Sequence, residues 1–235
     1  MNLLSEGARR LGLTLSPKCL KAFQTYYEEL IAWNERFNLT AITDYEQVQI
    51  RHFLDSLSCL PSDESLATSL SHQFTRVIDV GAGAGFPGLP LKIMYPQFRL
   101  TLLEATGKKT TFLDHVVGKL GLKDGTVIQS RAEELGHDMR HREHYDVVLA
   151  RAVAELPILV EYALPFCRRG GILVAQKGAE AQAEVTAAQQ AMAILGGRLR
   201  RIVTVELPGL AQPRSLVVIE KTAESRCQCL AMSHE

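Results

Sequence analysis

The sequence of 235 residues has the length of one ordinary domain, with room for a small appended one. Its 46% hydrophobic and 22% charged residues are typical of a soluble globular protein, and the formal net charge of zero excludes a global field that would attract nucleic acid. No apolar run approaches the ~20 residues of a membrane span, and the N-terminus lacks the apolar core of a signal peptide, so a cytoplasmic location is expected.

The first part of the chain, residues 1–72, has the apolar spacing of helices. Ser16 and Pro17 provide a helix N-cap followed by a proline at the first helical position. A second helix start is predicted at Thr43, because Glu46 three residues later completes a capping box. We therefore expect an N-terminal helical extension.

A polar, turn-rich stretch over residues 61–75 is predicted to link this extension to a region with a different pattern. Short apolar runs of the kind found in buried parallel strands occur at residues 76–80, 99–104, 126–129, 145–150 and 171–176. Helical segments separate them, and such alternation predicts a doubly wound α/β sheet. Its ligand crevice should lie at the carboxyl ends of the strands.

The sheet is expected to finish with a different connection. Runs at residues 201–207 and 214–221 are joined by a short loop, so these two strands must pair antiparallel. The prediction is a Rossmann-like, mainly parallel seven-stranded sheet over residues 73–222, followed by a disordered tail over residues 223–235. The five cysteines contain no C-x-x-C pair, which predicts neither a disulfide framework nor a zinc site.

The stretch VIDVGAGAGFPG, residues 77–88, places four glycines after the first predicted strand. It contains the G-x-G-x-x-G pattern of dinucleotide-binding turns, which is a weak signal alone. Asp79 at the strand end suits a ligand with a cation better than one with a pyrophosphate. Pro87 and Pro90 lack N–H groups that would cradle a phosphate. The terminal hairpin also replaces a second mononucleotide-binding half.

Glu104 closes the second predicted strand, where an acid accepts hydrogen bonds from ribose hydroxyls. NAD and S-adenosylmethionine both carry a ribose, but S-adenosylmethionine joins it to a sulfonium cation and has no phosphate. The residues therefore favour S-adenosylmethionine. Two alternatives stay open: a nicotinamide-dependent oxidoreductase, which would bind NAD, and a regulatory nucleotide-binding module, which would bind its ligand without turnover.

Longer stretches carry a more specific resemblance. The segments VIDVGAGAGFPGLPL, TLLEATGKKTTFL, SRAEEL and YDVVLARAV follow one another, accompanied by WNERFNLTAI, RHFLDSL and LVAQKG. Together they resemble the glucose-inhibited division protein B family, the small-subunit ribosomal RNA methyltransferases G. The resemblance implies the class I S-adenosylmethionine-dependent methyltransferase fold. It also implies methyl transfer to N7 of a guanosine in 16S rRNA, with S-adenosylhomocysteine as the product.

The resemblance further implies where the cofactor is held. The implied contacts are Gly81 and Phe86 in the glycine turn, Glu104, Ala105 and Thr106 after the second strand, Ala132 and Glu133 in SRAEEL, and Arg151 after the fourth strand. The pattern of the turn itself adds Asp79 and Gly83 to the predicted cofactor-binding set.

Guanine N7 carries a lone pair and no proton, so a direct in-line displacement on the sulfonium methyl needs no general base. Acceptors facing the N1 and N2 protons of the base would stabilise the charge that moves onto it. We assign this role to Asp55, with Arg151 as the second catalytic candidate. His52 lies three residues before Asp55 and should share its helix face.

The expected partner is 16S rRNA or the small ribosomal subunit, bound by a monomer and without a membrane. Candidate substrate contacts are Asn38, His52, Lys108, Lys109 and Lys177. No metal site is expected, because His52 and Asp55 lack a third ligand.

Overall fold

The computed structural model describes residues 1–60, 64–210 and 212–223. The strands are β1 (Arg76–Val80), β2 (Arg99–Glu104), β3 (Gly125–Gln129), β4 (Tyr145–Arg151), β5 (Cys167–Lys177), β6 (Gly197–Val205) and β7 (Arg214–Lys221). They form one seven-stranded sheet in the order β3-β2-β1-β4-β5-β7-β6. Strands β1 to β5 pair parallel, while β7 pairs antiparallel with β5 and β6. The predicted fold class is confirmed.

Helices pack on both faces of this sheet. They are α1 (Asn2–Arg10), α2 (Pro17–Phe37), α3 (Tyr45–Val48), α4 (Asp55–Leu57), α5 (Glu64–Leu70), α6 (Gly88–Met94), α7 (Gly107–Lys119), α8 (Ala132–Leu135), α9 (Leu156–Ala163) and α10 (Ala181–Ile194). A π-helical segment, Gln49–Leu54, joins α3 to α4. No helix among the described residues is long and apolar enough to cross a membrane.

Successive side chains of each strand enter two different cores, as the two-residue period of a strand requires. In β1, Val77 belongs to one core and Ile78 to the other. The first core also contains Leu4, Phe23 and Leu54 from the N-terminal helices. Burial of these apolar side chains therefore fastens the N-terminal helices to one face of the sheet, and it places the π-helical segment beside the carboxyl ends of the strands.

Ser16 caps α2 as predicted, because its Oγ accepts a hydrogen bond from the Cys19 N–H at 3.2 Å. The predicted start at Thr43 is wrong by one residue. Asp44 is the N-cap of α3, and its Oδ1 accepts from the N–H groups of Glu46 and Gln47 at 3.2 and 2.9 Å. A carboxylate that satisfies two free N–H groups is a stronger cap than a hydroxyl.

The linker predicted over residues 61–75 is also wrong in part, because α5 occupies its middle. Leu66 and Leu70, one helical turn apart, are both buried in the first core. Burial of these two leucines favours a helix in a segment whose composition is polar. Disorder is predicted for residues 223–235. Of these, positions 224–235 lie outside the described residues.

Candidate active site

Two cavities lie at the carboxyl ends of the strands, where the sheet topology predicts the ligand crevice. The turn cavity, of about 200 Å³, is lined by residues that include Gly81, Glu104, Ala105, Ser130, Ala132, Glu133 and Val153. The arginine cavity, of about 370 Å³, is lined by residues that include Arg51, His52, Asp55, Arg151, Gln176, Lys177 and Arg214. Five of the predicted cofactor residues thus line the turn cavity, whereas Arg151, Asp55, His52 and Lys177 line the neighbouring arginine cavity.

The glycine turn after β1 needs glycine for two separate reasons. Gly81, Gly83 and Gly85 all have positive φ, of 68°, 61° and 99°. A Cβ on Gly81 would lie 2.8 Å from Val153 Cγ2, and a Cβ on Gly85 would overlap Leu89 Cδ1. At Gly83 the space is open, and the nearest atom is 3.9 Å away. The turn therefore combines backbone conformation with close approach.

Glu104 is tied to this turn by the backbone. Its Oε2 accepts from the Gly83 N–H and its Oε1 from the Thr106 N–H, both at 2.9 Å. A carboxylate oxygen can accept more than one hydrogen bond, and Glu104 also lines the turn cavity. Its oriented carboxylate is suited to accept hydrogen bonds from a vicinal diol.

Asp79 lies beneath the turn and is fully buried. Its Oδ2 accepts from the Gly88 N–H at 2.8 Å, while its Oδ1 has no hydrogen-bond partner among the described residues. Burial raises the pKa of this carboxyl to about 7. A buried acceptor without a donor favours a positively charged group nearby, because such a group would restore the ionised form.

Asp55 is the centre of the arginine cavity and is only 2% exposed. Its Oδ2 accepts from Arg151 Nη1 at 2.8 Å and its Oδ1 from Arg214 Nε at 3.0 Å. Gln176 Nε2 donates to the backbone oxygen of Asp55 at 2.6 Å, while its Oε1 is buried without a partner among the described residues. One carboxylate thus holds two guanidinium groups from distant parts of the chain.

His52 is the second partner of Arg151, whose Nη2 lies 3.2 Å from its Nδ1. The same Nδ1 lies 3.2 Å from the Arg51 oxygen, and Nε2 lies 2.8 Å from Thr40 Oγ1. Burial, reinforced by the charge of Arg151, lowers the pKa of His52 to about 4. His52 is therefore neutral at physiological pH.

Phe86 joins the glycine turn to residues of the arginine cavity. Its ring stacks on His52 at 4.5 Å between centroids, and the Arg151 guanidinium carbon lies 5.1 Å from its centroid. Tyr26 of α2 stacks on it at 5.4 Å and donates a hydrogen bond to the Ala84 oxygen. The glycine turn, the helical extension and the arginine cavity are consequently one packed unit.

Other predicted residues lie further out. Asn38 is the exposed C-cap of α2, with φ of 49°, and Lys108 and Lys109 stand in the first turn of α7, outside the lining of either cavity. Lys177 lines the arginine cavity, but its Nζ is bonded to the Ala154 oxygen at 2.7 Å and to Glu184 at 2.6 Å. Thr106 contributes its N–H to Glu104. These assignments stay predictions.

Sequence reasoning missed Arg214 and Gln176 altogether. Arg214 is 159 positions from its partner Asp55, and Gln176 is 121 positions away. The one available signal was that both stand in predicted strands next to the crevice. No group of three or more His, Cys, Asp or Glu side chains in the described ranges is arranged to hold a metal ion.

Comparison with known proteins identifies relatives over nearly the whole chain. A model of the GidB family, described as rRNA small subunit methyltransferase G, matches residues 19–214. The ribosomal RNA small subunit methyltransferase G of Roseiflexus castenholzii is 50% identical over 95% of this chain and 92% of its own. That of Chloroflexus aggregans is 49% identical, over 94% and 90%.

Solved structures extend the comparison at the level of the fold. An rRNA methylase from Streptococcus thermophilus has a TM-score of 0.50 and 16% identity, covering 68% of this chain and 95% of that one. A likeness at this identity concerns the architecture alone.

Proposed function

This chain belongs to the GidB family, rRNA small subunit methyltransferase G, and we propose how its two cavities perform the family's reaction. It is an S-adenosylmethionine-dependent enzyme that methylates N7 of a guanosine in 16S rRNA. We propose that the turn cavity holds the adenosine part of the methyl donor and that the arginine cavity receives the guanosine. The observation that carries this proposal is that the glycine turn, whose Gly81 lines the turn cavity, also contacts the arginine cavity, because its Phe86 packs against Arg151 and His52.

The residues present fit the methyl donor. Glu104 supplies an oriented carboxylate for the ribose hydroxyls, and Gly81 keeps the floor of the turn cavity free of a side chain. The buried and unpartnered Oδ1 of Asp79 suits the positively charged end of the molecule. Ala132 and Glu133 also line the turn cavity, and we propose that they flank the adenine.

When bound, S-adenosylmethionine supplies a methyl group on a sulfonium cation. The chain has to orient the guanine and exclude water, and the proposed direct in-line displacement requires no proton transfer at N7. Among the described residues, Arg151 donates from Nη1 to Asp55 Oδ2 and to the Arg51 oxygen, and its Nη2 lies 3.2 Å from His52 Nδ1, so two of its five N–H groups have no partner there. We assign one of these to the guanine O6, an acceptor that leaves N7 free.

Asp55 then acts through the arginines. Both of its oxygens already accept from Arg151 and Arg214, so we propose that it positions these groups instead of contacting the base. Its negative charge also offsets the two guanidinium charges at a place where the methylated base becomes cationic.

The activity is tested with purified protein, methyl-labelled S-adenosylmethionine and small ribosomal subunits from cells that lack this methyltransferase. After digestion of the RNA to nucleosides, label should appear in 7-methylguanosine. Binding of the methyl donor without label in 7-methylguanosine would move the search to another acceptor. A Gly81→Val variant, with a side chain in the turn cavity, serves as the inactive control.

The quaternary state and the place of action complete the proposal. We propose that the protein works as a monomer in the cytoplasm, where its ribosomal substrate is assembled, and that residues 1–72 are a helical extension of the methyltransferase domain, 73–222. Light scattering after size exclusion should give a mass near the 26.0 kDa of one chain. A mass of twice that value would contradict the monomer.

A further inference from the structure

A third cavity, of about 360 Å³, opens at the opposite edge of the sheet, where strands β1 to β4 begin. We call it the amino-end cavity; the residues lining it include Arg76, Arg99, Thr101, Asp124, Arg140 and Tyr145. The five residues of β1 separate it from the glycine turn by about 16 Å at the rise of a β-strand. This separation makes it distinct from the active site. Its volume is nearly that of the arginine cavity.

Its charge is dominated by arginine. Arg76 and Arg99 are register partners on the adjacent strands β1 and β2, and both side chains are exposed. Within residues 1–60, 64–210 and 212–223, neither guanidinium has an ion pair. Two like charges placed opposite each other on neighbouring strands destabilise a sheet. An anion between them would remove that repulsion.

The acidic side chains near this cavity do not neutralise Arg76 and Arg99, because they are few or already paired with other groups. Asp124 is the one carboxylate among the described residues that line it. Asp138 is held by Arg140 through bonds of 2.6 to 3.1 Å. Asp146 accepts from the Arg76 backbone N–H at 2.7 Å and from Arg168 Nε at 2.6 Å. The guanidinium groups of Arg76 and Arg99 therefore remain the available charges.

Neutral polar groups complete the wall. Tyr145 OH lies 2.7 Å from His141 Nδ1 and 3.3 Å from Thr101 Oγ1. Burial lowers the pKa of His141, so its ring is neutral at physiological pH. These bonds fix the position of Tyr145 and Thr101 beside the arginines. The cavity thus combines exposed guanidinium groups with a hydrogen-bonded polar wall, which suits a tetrahedral oxyanion.

We propose that the amino-end cavity binds a phosphate group, supplied by the RNA backbone of the small ribosomal subunit, as a second docking point remote from the methylated guanosine. Arginine forks match phosphate oxygens in a bidentate manner. A subunit much larger than the enzyme can contact both edges of the sheet. The choice of RNA as the source rests on the proposed function, whereas the phosphate chemistry of the cavity does not; a free phosphate shares that chemistry.

The test compares an Arg76→Ala/Arg99→Ala variant with an Arg9→Ala/Arg36→Ala variant of equal net charge. Arg9 and Arg36 are exposed residues of α1 and α2. Removing the two cavity arginines should raise the KM for small subunits about tenfold, with kcat and S-adenosylmethionine affinity unchanged. The logarithm of the binding constant for small subunits decreases with the logarithm of the salt concentration, and the steepness of this decrease should fall by about 1.5. Each lost phosphate contact accounts for about 0.7 to 0.9 of that slope.

A second arm distinguishes the source of the phosphate. Thermal unfolding is followed in sodium phosphate and in sodium chloride of the same ionic strength. A changed KM and salt slope, with no stabilisation by phosphate, support docking to RNA. Stabilisation by phosphate that the Arg76→Ala/Arg99→Ala variant alone loses, with KM unchanged, supports the cavity but overturns RNA as its ligand. If neither arm differs from the control variant, the proposal is overturned.

Two controls keep these outcomes separate. Should the double variant fail to fold, the single Arg99→Gln variant provides the same comparison at an exposed position. If the unaltered protein places no label in 7-methylguanosine, the proposed function has failed. The phosphate arm still tests the amino-end cavity in that case, because it needs no methyl transfer.

Discussion

The turn cavity and the arginine cavity lie side by side, yet the chain builds them in opposite ways. The turn cavity consists of short contiguous segments whose backbone N–H groups and glycines do most of the positioning. The arginine cavity consists of side chains that meet from 96 and 159 positions apart along the chain. A site formed by backbone groups and glycines therefore tolerates few substitutions within its own segment. A site formed by distant side chains depends instead on the whole fold.

The largest expected effect comes from the glycines of the turn. A Gly85→Ala variant should lose at least about 3 kcal/mol of unfolding free energy. An alanine there would have to adopt a φ of 99°, and its Cβ would overlap Leu89 and Tyr26. Gly83→Ala is the matched control, since its Cβ meets only open space, and it should lose about 1 kcal/mol. Urea unfolding measures both, and equal losses would contradict the close-approach argument.

The next effect is a pH dependence of stability that originates at His52. Its folded-state pKa of about 4 lies below the ordinary value of 6.5, so the unfolded chain binds the proton more readily. The contribution of neutral His52 to the free energy of unfolding is complete above pH 6.5. It is lost as the pH falls toward 4, which lowers the free energy of unfolding by up to about 3 kcal/mol.

This pH dependence can be isolated by substitution. Urea unfolding between pH 7 and pH 4.5 should show a shallower loss of stability for His52→Gln than for the unaltered protein. His72→Gln, which changes an exposed histidine, should leave the slope as it was. A slope that is identical in the His52→Gln variant would mean that His52 is not held neutral by the Arg151 charge and by burial.

A smaller effect is expected at the rim of the arginine cavity. Arg214→Ala removes one of the two guanidinium groups on Asp55 and should lower turnover about tenfold, equivalent to about 1.4 kcal/mol. Arg198→Ala breaks an ion pair with Glu220 whose arginine side chain is 70% exposed, and it should change turnover less than twofold. Steady-state methylation of small subunits measures both. A similar loss of turnover in the two variants would show that turnover depends on the positive charge alone and not on the contact with Asp55.

The same contrast explains what the sequence could predict. The strands, their order of alternation and the turn at Gly81 follow from local periodicity and from a contiguous motif, and they are found in the structure. Position in a predicted strand next to the crevice does not show the roles of Arg214 and Gln176, because these arise only when β5 and β7 are brought against Asp55. Sequence likewise could not show that both Asp55 oxygens accept from arginines.

Local errors have a related cause. Thr43 and Asp44 are adjacent candidates for one cap, and only the hydrogen bonds of the folded chain distinguish them. The polar segment around Leu66 and Leu70 becomes helical because the first core accepts two leucines, which composition does not reveal. Tertiary packing thus decided both cases.

The most direct test of the two-cavity account is to measure S-adenosylhomocysteine affinity and single-turnover methylation in two isosteric variants. Glu104→Gln should weaken binding about tenfold or more, because the ribose acceptor loses its charge. Asp55→Asn should keep the affinity of the unaltered protein and lose turnover, since it disturbs Arg151 and Arg214 alone. An Asp55→Asn variant that binds S-adenosylhomocysteine as weakly as Glu104→Gln, or that methylates at the normal rate, would contradict the division of labour between the two cavities.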